Sequence, residues 1–191
     1  MRRFDVSELP ATRWKNGGGD TREIAVWPPG TGIDDFGWRA SVATLSQDGA
    51  FSVFPGIDRH IMLLDGAGVQ LQGTGVNHRL DTRWQPFAFS GDAPLTCTLL
   101  APGTSSTDFN IMTRRGQWRA DVQVLETTTT LAQADAGVCL ALAGRWRVDD
   151  EVLTPEQGVW WSTQQNALTL HADTSDACLV CVLLHRLEPE S

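Results

Sequence analysis

The stretch "HIMLLDGAGVQLQ", His60 to Gln72, decides the fold. An apolar run meets Asp65-Gly66-Ala67-Gly68 and resumes as an alternating segment, the pattern of a strand, a turn and a second strand. "VCLALAGRWRVDD", Val138 to Asp150, repeats the pattern in the other half of the chain. Each copy precedes an aromatic segment, "PFAFSGD" in the first half and "TPEQGVWWS" in the second, and then a long apolar run, "LTCTLLAPG" and "ACLVCVLLHR". A hairpin, an aromatic strand and a closing apolar strand are the core of a small jelly roll, here present twice. No segment has a persuasive helical period. The chain is therefore expected to be all-β, with two tandem jelly-roll β-barrels. Residues 1–116 would form the first barrel, with a ligand pocket, and residues 117–191 a supporting second one. The join is expected near "TRRGQWRAD", Thr113 to Asp121, and a single large sandwich is the alternative.

At 191 residues the chain can bury about 70% of its unfolded surface without a metal or a disulfide. Its net charge of −8 lacks the electrostatic footprint of a nucleic-acid binder and disfavours acidic membranes. No run approaches a membrane span, and no apolar stretch follows the two N-terminal arginines, so a cytoplasmic protein is expected. "CLVC" has metal-site spacing, but it lies in a strand-like run where Cys178 and Cys181 face opposite ways. All four cysteines are read as core residues. His60, His78, His171 and His185 are scattered, and neither a metal nor another cofactor is expected.

Costly polar residues concentrate in the first half: Asn16, Thr21, Glu23, Arg39, Ser41, Arg59, Asp108 and Asn110. Thr21 and Glu23 share one face of "DTREIAV", with Ile24 and Val26 on the other. Arg39 and Ser41 face oppositely to Trp38, Ala40 and Val42. If Ile24, Val26, Trp38 and Val42 form one packed layer, Glu23, Arg39 and Ser41 enter a lumen; the opposite phase sends them to solvent. Asp108 and Asn110, in "TDFNIMTRRG", have the chemistry of turn formers. An arginine at a barrel mouth offers a planar fork of donors to a carboxylate. Gly17-Gly18-Gly19 can bring backbone amides close to a ligand, framed by Asn16 and Thr21.

"RWKNGGGDTREIA", "WRASVATLSQDGAFSVFPGIDRHIMLLDGAGVQL" and "DFNIMTRRG" together resemble recurring blocks of the HutD/Ves family, small bacterial bicupins associated with histidine utilisation. The resemblance is close from Trp14 to Gly116 and extends to the second half only as a cupin-like pattern. It implies two tandem RmlC-like cupin barrels and a regulatory role in histidine degradation through binding N-formylglutamate or a related intermediate. Cupins commonly hold a metal with an H-x-H pair, a glutamate and a further histidine. Here His60 stands alone beside Arg59, so the resemblance implies a barrel without that metal.

Three functions follow as expectations. The first is a non-enzymatic binder of a small acidic metabolite. Arg39 and Arg59 would meet its carboxylates, Asn16, Ser41 and the glycine amides its formyl or amide group, and Trp14 and Phe54 its apolar side; Thr21, Glu23 and Asn110 complete the set. The second is a metal-independent isomerase or hydrolase, with Glu23 as general base and His60 or Asp108 as partner. The third is a ligand-free structural or interaction protein with a filled barrel. Nucleic acid and membrane are not expected partners, and a homodimer is left open.

Overall fold

A computed structural model describes residues 1–163 and 167–188. The chain divides into two compact units, one of Pro10–Gln117 and one of Met1–Leu9 with Trp118 onward. Strand β1 (Arg2–Asp5) opens the chain and belongs to the second unit, so the first nine residues leave the barrel in which the sequence placed them.

The first unit holds β2 (Ala11–Arg13), β3 (Gly19–Trp27), β4 (Trp38–Leu45), β5 (Gly49–Phe51), β6 (Ile57–Asp65), β7 (Val69–Gly73), β8 (Val76–Leu80), β9 (Phe87–Ser90), β10 (Leu95–Leu99) and β11 (Ser106–Arg114). One sheet runs β2-β3-β4-β11-β6-β9 and the other β5-β10-β7-β8. Their inner faces meet in a core that includes Leu45, Ile61, Leu63, Val69, Leu71 and Leu95, all at most 4% exposed. β6 and β7 thus lie in different sheets. The expected hairpin is a corner, and Gly66 and Gly68 make it: both have positive φ, and a Cβ on Gly68 would sit 2.0 Å from the Leu80 carbonyl oxygen.

The second unit holds β12 (Trp118–Leu125), β13 (Thr129–Thr130), β14 (Ala136–Ala143), β15 (Trp146–Val148), β16 (Glu151–Leu153), β17 (Gln157–Trp161), β18 (Thr169–Ala172) and β19 (Cys178–Arg186). Its sheets run β1-β17-β14-β19-β12 and β13-β18-β15-β16. The orders β4-β11-β6-β9 and β5-β10-β7-β8 recur with every strand eight places later, so the halves repeat in topology, but the closing runs correspond differently from the sequence match: "LTCTLL" is β10, equivalent to β18, and "CLVCVLLHR" is β19, equivalent to β11. Among the described residues the second interior is apolar. Cys139, Trp146, Leu153, Val159, Leu179, Cys181 and Leu183 are at most 2% exposed, and Trp161 lies so close over Gly137 that a Cβ there would fall 2.2 Å from its ring. Cys139 and Cys181 pair across β14 and β19, and all four cysteines are free and buried. Among the described residues no helix is long and apolar enough to cross a membrane.

Two close approaches set testable costs. A Cβ on Gly19 would lie 2.2 Å from the Thr44 carbonyl oxygen, so Gly19→Ala must push β3 from β4. It is expected to destabilise the protein by about 2 kcal/mol, read as a lower urea midpoint. Phe4, 7% exposed, seats its ring on Gly158. Phe4→Ala is expected to remove about 3 kcal/mol, and an unchanged midpoint would show that β1 does not anchor the second unit.

Candidate functional site

The first unit holds a cavity of about 530 Å³ lined by residues that include Trp14, Thr21, Glu23, Arg39, Ser41, Phe54, Arg59, Asp108, Asn110 and Met112. Strand register explains the convergence. Met112 on β11 pairs with Arg39 on β4 and with Arg59 on β6. Directly paired residues share a sheet face, so these three form one row across the floor. The two arginine Cα atoms are separated by two strand spacings, roughly 10 Å. Asn110 opposite Ser41 makes the next row, and Asp108 opposite Ala43 the one after it. On β3, Glu23 pairs with Ser41 and Thr21 with Ala43, which brings both to the same face.

A bulge between Glu23 and Ala25 then changes the phase of β3. Val26 pairs with Arg39 and packs with Phe36, Ile57, Met112 and Phe54, instead of sharing the layer of Trp38 and Val42 as its alternation suggested. The polar residues before the bulge take the inward of the two phases that the sequence left open.

Arg59 dominates the electrostatics. It is 5% exposed, and its guanidinium carbon lies 4.6 Å from the ring centre of Phe51, 4.9 Å from Phe89 and 5.2 Å from Phe54. One terminal nitrogen donates to the Ser52 carbonyl at 3.2 Å and the other to Asn110 Oδ1 at 3.1 Å. Nε–H has no acceptor, and no carboxylate lies within ion-pair distance among the described residues. Burial lowers the guanidinium to about 10, with Asp108 opposing the shift and Arg39 adding to it, so it is charged at neutral pH. The three aromatic faces and the distant carboxylate offset part of the cost of burying this charge.

Asn110 relays the charge. Its Nδ2 donates to Asp108 Oδ1, while Asp108 Oδ2 is buried without a partner. Burial pushes the Asp108 carboxyl up to about 7, against the pull of Asn110 and Arg59. Arg39 has its own counter-ion: its Nε donates to Glu23 Oε2 at 2.7 Å, with the Glu23 side chain 46% exposed. Trp14 Nε1 donates to Thr21 Oγ1 at 2.8 Å and fixes the indole on the cavity wall.

Asn16, Gly17, Gly18 and Gly19 do not line this cavity. Gly17 N donates to Trp14 O at 3.0 Å, Gly18 N donates to Asn16 Oδ1 at 3.0 Å, and Gly18 O accepts from Ser46 N at 2.9 Å. The glycine triplet therefore forms the turn from β2 to β3 and its close contact with β4. Gly17 and Gly19 edge a separate depression with Ala11, Arg13, Asp20 and Ser46. His60 alternates with Arg59 along β6 and is not among the lining residues, so Glu23 and His60 do not form an acid–base pair. Phe51, Phe89, Ser52 and Met112 were not anticipated as site residues. The period-2 pattern of Ser106, Asp108, Asn110 and Met112 was the available signal for the last of them.

The donor set does not fit a divalent cation. Two arginines flank the floor, and no three His, Cys, Asp or Glu side chains gather in a metal-binding group among the described residues. The arrangement suits an anion: a desolvated guanidinium with donors to spare, inside a largely apolar hollow.

Known proteins agree with this architecture. Protein Ves of Cronobacter sakazakii is 45% identical over 170 residues, covering 89% of this chain and 92% of that protein. The structure of HutD from Pseudomonas fluorescens SBW25 superposes with a TM-score of 0.85 at 27% identity, covering 98% of this chain and 99% of that one. A cupin 2 conserved barrel domain protein from Leptotrichia buccalis shares the fold, with a TM-score of 0.60 at 8% identity over 95% of each chain. The HutD family model matches residues 6–180, and with that span and these relatives the chain belongs to the HutD family, with a cupin-like fold.

Proposed function

We propose that the chain is a regulatory binding protein of histidine catabolism, in which the first unit captures a small organic acid, N-formylglutamate or a close relative, with one carboxylate on Arg59. We also read the two units as cupin barrels in tandem, the first a receptor and the second a support. The observation that carries the binding reading is a buried guanidinium that lines a cavity of about 530 Å³ with no ion-pair partner among the described residues. Incoming carboxylate oxygens would meet donors that the protein leaves unused. The Phe51, Phe54 and Met112 side chains exclude water around that contact, which strengthens it. The far end of the ligand would meet Arg39, Glu23 and Ser41, groups suited to a second carboxylate or an amide. The pathway assignment rests on the HutD relationship, and the ligand class on the pocket chemistry.

Denaturation in the presence of N-formylglutamate tests this reading. Ligand at a hundred times its dissociation constant is expected to add about 2.7 kcal/mol to stability. Arg59→Met is expected to lose about 2–5 kcal/mol of binding. Arg39→Met, whose charge Glu23 already balances near solvent, is expected to lose about 1 kcal/mol. No stabilisation by any small mono- or dicarboxylate at millimolar concentration would contradict the proposal.

A further inference from the structure

The Arg59–Asn110–Asp108 chain has two ends that differ in kind. Arg59 sits in the aromatic cage at one side of the hollow, while Asp108 also lines the hollow but lies one row beyond Asn110, beside Ala43 and Leu63, where core packing begins. Asp108 is 1% exposed, and one of its oxygens has no hydrogen-bond partner. It is the negative group that balances Arg59 from within the protein. A ligand carboxylate on Arg59 would be a second negative group on the same cation. We propose that Asp108 makes anion capture proton-linked: as a carboxylate docks on Arg59, Asp108 takes up one proton from solvent, so binding tightens as pH falls.

This inference rests on the carboxylate-binding reading above and adds its regulation. The other charged and titratable groups around Asp108 leave the role to it. From β6 only Arg59 faces it: Asp58 and His60 alternate to the opposite side of the strand, and Asp65, past the bulge at Thr107/Asp108, pairs with Thr107 and is held by Arg83. From β10 Cys97 faces it; burial, with the Asp108 and Asp48 charges adding to it, raises that thiol to about 12 and keeps it neutral. Arg39 on β4 and Glu23 on β3 balance each other as an ion pair.

The sign follows from the direction of the Asp108 shift. Without ligand its carboxyl is raised to about 7, so near neutrality it is partly ionised. An additional anion nearby raises it further, and ligand and proton then favour each other's binding. The ligand's own carboxylates titrate below about 4.5 and are ionised throughout the test range. The same raised value means that the folded state keeps a proton between about 4 and 7 that the unfolded chain has released. Stability from this group is present below about 4 and lost as pH rises through 7.

Calorimetric titration of the full chain with N-formylglutamate from pH 5.5 to 8.5, in two buffers of different ionisation enthalpy, tests the linkage. Wild-type affinity is expected to fall toward tenfold per pH unit above about 7, with close to one proton taken up per ligand at pH 8. Asp108→Asn keeps the acceptor for Asn110 and is expected to bind with affinity independent of pH and with no proton uptake. A flat wild-type profile, or a variant as pH-dependent as wild type, would overturn the linkage and leave anion capture standing. No binding at any pH would overturn both. Infrared spectroscopy of the wild type gives a readout that does not need the variant to fold. At pH 8 the addition of ligand is expected to restore a protonated-carboxyl band that is otherwise present only at lower pH. Absence of that band would overturn the proposal.

Discussion

A positive charge held almost wholly out of water, with no carboxylate bonded to it, is the constraint around which the first unit is organised. Burying an ion costs several kcal/mol unless the surroundings compensate. Arg59 is compensated piecemeal, by three phenylalanine rings, a backbone carbonyl and an asparagine that links it to Asp108. Each of these is weaker than a bidentate carboxylate. The arrangement keeps the arginine in place and leaves its Nε–H without an acceptor.

The sheet makes this possible. β11 lies between β4 and β6, and its alternation sends Asp108, Asn110 and Met112 inward, where they meet Arg39 and Ser41 on one side and Arg59 on the other. A one-residue slip of β11 would reverse every one of these side chains. In the second unit β19 occupies the same topological place and presents Leu179, Cys181 and Leu183 to its core instead. The same strand order therefore frames a polar hollow in one copy and, among the described residues, an apolar core in the other. The difference lies in the side chains.

Much of this was legible in the sequence. The doubled strand-turn-strand pattern revealed an all-β chain with repeated halves, because the Gly-rich corners and the aromatic strands β9 and β17 recur at corresponding points; the closing apolar runs were mismatched, since β19 answers to β11, whose inward polar residues hide its likeness to an apolar strand. Eight of the proposed pocket residues, Trp14, Thr21, Glu23, Arg39, Ser41, Phe54, Arg59 and Asn110, do line one cavity. The errors have physical causes. Asp108 and Asn110 admitted a turn reading as well as a pocket one because their local chemistry suits turns, and the pairing of β11 on both sides overrides that preference. Val26 changed face because a bulge cannot be seen in an alternating pattern. The glycine triplet read as a ligand loop, although its small size serves a close approach to β4. The first nine residues could not be assigned from local pattern, since β1 pairs with β17 far along the chain.

The most direct measurement of the central claim is a crystal structure of the protein with N-formylglutamate bound. The account predicts carboxylate oxygens within hydrogen-bond distance of the Arg59 guanidinium, inside the Phe51–Phe54–Phe89 cage, with the other end of the ligand toward Arg39 and Glu23. A ligand seated elsewhere on the chain, with Arg59 still bonded only to Ser52 and Asn110, would contradict it.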